Sequence, residues 1–147
     1  MGGRQNGGRF IHGFRIMTFP AHTPVLIVED FKTMRRIQRN FLERLGYGDV
    51  DEAADGAAAL ELIAARDYGL VISDWNMAPM TGFELLKRVR ASGRNADVPF
   101  LMVTAESGVA SVAAAQAAGV SDYLVKPYRQ EALQEKLDAI FARAAAG

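Results

Sequence analysis

The sequence predicts an α/β domain: a (βα)5 doubly wound, five-stranded parallel sheet. Three observations predict it. Short runs rich in Val, Ile and Leu recur without polar alternation, as in strands covered on both faces. Segments with helical apolar spacing lie between them. Five such pairs alternate, and right-handed crossovers then place helices on both sides of one parallel sheet.

The elements follow in order from residue 23. Pro24-Val25-Leu26-Ile27-Val28 is the first strand. Phe31 to Leu45 is a helix with Met34, Ile37, Phe41 and Leu45 on one stripe, stopped by Gly46. Val50 to Ala54 is a weaker strand. Asp55 can cap the next helix, which packs through Leu60 and Ile63. Leu70 to Ser73 is the third strand, and Phe83 to Arg90 a helix with Leu85, Leu86 and Val89 apolar. Pro99 to Val103 is the fourth strand, followed by an Ala-rich helix over 108–118 that Gly119 ends. Asp122 to Val125 is the fifth strand. Tyr128 to Ala145 closes the domain, with Leu133, Leu137, Ile140 and Phe141 inward.

Residues 1–22 are Gly- and Arg-rich and lack periodicity. They are read as a disordered N-terminal extension, with Met17 as an alternative start, leaving 23–147 as one domain. The 17 basic and 17 acidic residues balance, but Arg4, Arg9 and Arg15 lie in the extension, which has no acid. Removing those three leaves 14 bases against 17 acids, so the body is mildly acidic and is not expected to bind nucleic acid. Without cysteine, disulfides and thiolate metal sites are excluded. No stretch approaches the ~20 apolar residues of a membrane span. The N-terminus lacks the continuous apolar core of a secretory signal. A soluble, cytoplasmic monomer is expected.

In such folds ligands bind beyond the carboxyl ends of the strands. Those ends carry Glu29-Asp30, then Asp74, Thr104 and Lys126-Pro127. Each alone has an ordinary reading, as a cap or a turn residue. Their joint placement on four strand ends points to chemistry. Crowded carboxylates repel unless neutralised, and Mg²⁺ takes oxygen ligands including one or two carboxylates. Glu29, Asp30 and Asp74 suit it, with Lys126 as a second positive charge and Thr104 as a neutral donor. This is equipment for phosphoryl transfer to a carboxylate. Asp74, on the middle strand, is the candidate nucleophile; Glu29 and Asp30 would hold the metal.

The strings Val25-Leu26-Ile27-Val28-Glu29-Asp30-Phe31, Thr33-Met34-Arg35-Arg36-Ile37, Asp74-Trp75-Asn76-Met77, Thr104-Ala105-Glu106 and Tyr123-Leu124-Val125-Lys126-Pro127 resemble bacterial response-regulator receiver domains, which have a flavodoxin-like fold. The Asp-Trp-Asn-Met and Phe-x-Thr-Met-Arg-Arg strings resemble the single-domain chemotaxis branch (CheY-like). The resemblance implies that Asp74 is the phosphorylation site, with Glu29 and Asp30 as the acidic metal pair. It implies that the backbone carbonyl of Asn76 completes the Mg²⁺ shell. Thr104 would be the switch hydroxyl, Lys126 the lysine that pairs with the phosphoryl group, and Tyr123 the aromatic rotor. Trp75 would report binding by fluorescence. Asn76 and Glu106 would face the pocket mouth and tune dephosphorylation.

The implied phosphodonor is a histidine kinase. The output face would be the fourth helix, fifth strand and fifth helix, and the target the flagellar motor switch, with a phosphatase as a further partner. The given sequence runs out after the fifth helix, so output is expected from binding; the chain is a receiver that assists its own phosphorylation and autodephosphorylation, not an enzyme in the usual sense. Two departures stand out: Ala78 precedes Pro79 where the family has Pro directly after Met77, and Thr81 replaces a commonly acidic residue before Gly82. Two other functions compete. One is a single-domain phosphate sink or relay in another signalling circuit. The other is an aspartate-nucleophile phosphatase, which needs a second Asp as general acid where this chain has Asn76.

Overall fold

A computed structural model describes residues 8–11, 14–105 and 108–146. The five βα units are as expected. Strands β3 (Val25–Val28), β4 (Val50–Ala53), β5 (Leu70–Asp74), β6 (Phe100–Thr104) and β7 (Asp122–Val125) form one sheet in the order β4-β3-β5-β6-β7, all parallel. Helices α1 (Lys32–Arg44), α2 (Gly56–Ala65), α3 (Gly82–Ala91), α4 (Val109–Ala117) and α5 (Gln130–Ala146) alternate with them.

Every residue of β3, β5 and β6 is buried, which explains their unbroken apolar runs. Alternate side chains serve two cores. Val25, Ile27, Ile72, Leu101 and Val103 pack with Leu42 of α1 and Leu133, Leu137 and Ile140 of α5. Leu26, Val28, Val71, Phe100 and Met102 pack with Ile63 of α2 and Leu85, Leu86 and Val89 of α3. Asp55 caps α2 by accepting from the Ala58 N–H at 2.8 Å, as its position predicts. Thr81 and Glu84 form a reciprocal capping box at the start of α3, so the Thr that replaces an acid there has a local use.

In the segment read as a disordered extension, strands β1 (Gly8–Ile11) and β2 (Phe14–Met17) pair as an antiparallel hairpin, Thr18 is buried, and Phe19 packs edge-on against Phe141 at 5.1 Å. Residues 1–7, 12 and 13 lie outside the described residues. Of the apolar stripe on α1, Leu45 is buried and Phe41 packs against the core, whereas Ile37 is 38% exposed; within the helix the buried residues are Gln38 and Leu42.

Candidate functional site

The site is assembled by four adjacent strands. Glu29 extends the β3 ladder, its N–H bonding the Ala53 carbonyl at 3.1 Å. Its side chain is 1% exposed, and Oε2 accepts from the Phe31 N–H at 3.2 Å. Asp30 follows on the surface. Asp74 ends β5 and is 2% exposed. Thr104 ends β6, buried, and its carbonyl accepts the Lys126 N–H at 2.8 Å just past β7. The parallel register thereby delivers all the predicted strand-end residues to one rim.

Carboxylate oxygens of Glu29, Asp30 and Asp74 lie within 4.8 Å of one another. Lys126 Nζ is 2.8 Å from Asp74 Oδ1 and 3.6 Å from Glu29 Oε1. Those two oxygens are buried, and the ammonium meets hydrogen-bond geometry with neither. Burial, then the charge of Asp74, pushes the Glu29 carboxyl above its usual range. Burial likewise raises Asp74, and Lys126 offsets only part of the rise. Burial works to lower the Lys126 ammonium, but the close negative charge of Asp74, then of Glu29, outweighs it and holds it above normal. Three acids around one ammonium form a pocket short of positive charge. Hard oxygen donors with unsatisfied lone pairs suit a hard divalent cation.

The loop after Asp74 is tightly tied. Trp75 donates its N–H to the Val103 carbonyl at 2.8 Å, and its own carbonyl accepts from Met77 and Gly82. The Trp75 ring stacks on Phe83 with centroids 5.5 Å apart. Asn76 is exposed, Met77 is buried, and the Ala78–Pro79 peptide is cis. Tyr123 is half-buried on β7. Its register partner is Met102, and Thr104 lies two residues beyond, so Thr104 and Tyr123 share one face of the sheet. Glu106 lies outside the described residues.

Two contributors escaped the sequence reading. Arg35 donates to the Glu29 carbonyl at 2.8 Å and pairs with Glu52 at 3.1 Å, tying α1 to the end of β3. Arg35 stood in the quoted string, but its reach was not readable there. Gly82 abuts the Asp74 backbone, where a Cβ would fall 2.1 Å from the carbonyl oxygen.

Comparison with known proteins agrees with this geometry. The family model described as the response regulator receiver domain matches residues 25–138. The chain is 46% identical over 119 residues to the chemotaxis protein CheY-3 of Vibrio cholerae, covering 81% of this chain and 92% of that protein. It is 45% identical to the chemotaxis protein CheY of Pseudomonas aeruginosa, covering 81% and 96%. Among solved structures, that of Vibrio cholerae CheY4 superposes with a TM-score of 0.77 at 36% identity, covering 82% of this chain and 99% of that one. The chain belongs to the response regulator receiver domain family and is CheY-like within it.

Proposed function

We propose that this chain is a phosphorylation switch in which Asp74 accepts a phosphoryl group from a histidine kinase. The observation that carries the reading is the Lys126 ammonium, 2.8 Å from a buried Asp74 carboxylate beside Glu29. A carboxylate oxygen of Asp74 attacks the phosphorus of the phosphohistidine, the P–N bond breaks, and the imidazole leaves and takes a proton. Lys126 is close enough to follow charge from the carboxylate onto the phosphoryl oxygens. Glu29, Asp30 and Asp74, with the Asn76 carbonyl, would hold Mg²⁺, which supplies further neutralisation of phosphoryl charge. Burial of Glu29 and Asp74 keeps the water that would otherwise screen these charges away from them.

The new group carries close to two negative charges and three acceptor oxygens. Thr104 would turn its hydroxyl toward them. Tyr123, on the same face of the sheet, would fill the space released. This biases the surface of α4, β7 and α5 between two states. The target is the flagellar motor switch, in keeping with the chemotaxis relatives.

The test is labelling of purified protein by acetyl phosphate in Mg²⁺, followed by capture with the motor switch protein. Asp74→Asn is expected to take no label, and only the labelled parent protein to be retained. Undiminished labelling of Asp74→Asn would overturn the phosphoacceptor assignment. Equal retention with and without label would overturn the motor target.

A further inference from the structure

The two acids at the end of β3 sit on a short turn that packing does little to hold. Asp30 is exposed, and Phe31 is 66% exposed. Phe31 takes the N-cap position of α1, and no side-chain hydrogen bond caps the helix there. The Glu29 N–H bonds the Ala53 carbonyl at 3.1 Å, which fixes the residue on its sheet side. The Phe31 N–H bonds Glu29 Oε2 at 3.2 Å, but that oxygen belongs to a carboxylate of the acidic cluster. The Glu29 carbonyl is a different kind of attachment, because it takes no part in the cluster. It belongs to the peptide that joins Glu29 to Asp30, and it accepts from Arg35 Nη1 at 2.8 Å.

Arg35 reaches that carbonyl from the first turn of α1. Its side chain is only 16% exposed, and its Nε pairs with Glu52 Oε1 at 3.1 Å. Glu52 stands on β4 opposite Ile27 of β3, and Arg39 holds its other oxygen. One guanidinium thus spans two partners: a carboxylate fixed on the sheet and the carbonyl between the two acids. A planar fork of donors can serve both at once, whereas an ammonium is a point donor. We propose that Arg35, aligned by Glu52, is a positioning residue for the acidic pair. By clamping the planar peptide between Glu29 and Asp30, it sets where the Asp30 carboxylate stands relative to those of Glu29 and Asp74.

The binding part of this inference rests on the Mg²⁺ reading of the site given under the proposed function. Charge and position make opposite demands on it. Arg35 is a cation beside an acidic cluster, so by charge alone its loss would tighten Mg²⁺ binding. By positioning, its loss weakens Mg²⁺ binding, as the loss of contacts behind metal ligands generally does.

The test titrates Mg²⁺ by calorimetry into the parent protein, Arg35→Met, Arg35→Lys and Arg39→Met. Arg39 bonds Glu52 and the Val50 carbonyl, not Glu29, so its loss reports a general loosening of α1 from β4. Arg35→Met is expected to bind about tenfold more weakly than the parent, and Arg39→Met within about twofold of it. Arg35→Lys keeps the charge but serves one partner at a time, and is expected to bind at least about threefold more weakly. Equal or tighter binding by Arg35→Met, an equal loss in Arg39→Met, or full binding by Arg35→Lys would overturn the positioning role. A second readout is hydrogen exchange of the Phe31 amide in Mg²⁺-free buffer. It is expected to quicken in Arg35→Met and to stay at the parent rate in Arg39→Met. The same exchange rate in both variants would overturn the clamp. A parent protein that binds no Mg²⁺ would refute the metal reading instead, and the amide would still decide whether Arg35 holds the turn.

Discussion

Gly82 and Asp74 are locked together through the backbone: a side chain at Gly82 would put its Cβ 2.1 Å from the Asp74 carbonyl oxygen and 2.9 Å from Met102 Sδ. The first of these neighbours is main chain and cannot step aside. The glycine that opens α3 therefore sets how closely the helix approaches the residue that carries the proposed acceptor carboxylate. Gly82→Ala is expected to lower stability by at least about 2 kcal/mol. Urea unfolding of the two proteins measures this, and equal midpoints would refute it.

The pocket makes its own charge unfavourable. Glu29 and Asp74 both titrate above their ordinary values of 4.5 and 3.8 in the folded chain. Between the ordinary and the raised value, the folded state holds protons that the unfolded chain has released, so stability falls as pH rises through that window. Glu52, with its carboxyl lowered by Arg39 and Arg35 against the cost of burial, has the opposite sign. Its contribution is full above 4.5 and is lost as pH falls below it. In Mg²⁺-free buffer, thermal stability should therefore rise on mild acidification from neutral pH and fall again below about pH 4. Mg²⁺ should flatten the upper part of this curve. A midpoint that declines steadily from neutral pH downward would refute the expectation.

By the same reasoning, Asp74→Asn removes a buried charge that the fold tolerates poorly. The variant is expected to be more stable than the parent at neutral pH without Mg²⁺, by about 1 kcal/mol. It should gain less from added Mg²⁺. Denaturant midpoints with and without the metal, measured for both proteins, check both parts.

The capping box of α3 can be taken apart by halves. Thr81→Ala should cost about 1 kcal/mol, and Glu84→Ala in that background little more, because the two side chains serve one motif. A double-mutant cycle on unfolding free energy decides it; strict additivity would count against the reciprocal box.

Asn95 has φ of 65°, and its side chain makes three hydrogen bonds: to the carbonyls of Ile63 and Arg66, and from the N–H of Tyr68. Asn95→Ala loses the bonds and also meets the left-handed backbone penalty. Asn95→Gly loses the bonds alone. The Gly variant should therefore be the more stable of the two by about 1 kcal/mol, with both below the parent. Equilibrium unfolding ranks them.

The alternation of buried runs and helices made the sheet legible, because parallel strands leave a hydropathy signal that does not depend on register. Once the order of units was known, Glu29, Asp74, Thr104 and Lys126 had to meet at one rim. Gln38 was not legible. Hydropathy selects Ile37 for the inner face, and a polar residue turned inward betrays nothing until its neighbours are in place. Phe19 was hidden for a related reason: its partner Phe141 lies at the far end of the chain, and local composition spoke for a tail. Gly82 announced a glycine but not the carbonyl it makes room for.

The sheet order also governs when the pocket can exist. Glu29, Asp74, Thr104 and Lys126 come from four neighbouring strands, β3, β5, β6 and β7, and Lys126 follows the last of them. A partly synthesised chain that has folded through β6 already holds the three acids together but has no ammonium to set against them. Such an intermediate is a crowded acidic cup, without the ammonium that the proposed transfer uses. Under the proposed function, competence to react then arrives when β7 joins the sheet edge, and departs if that edge frays.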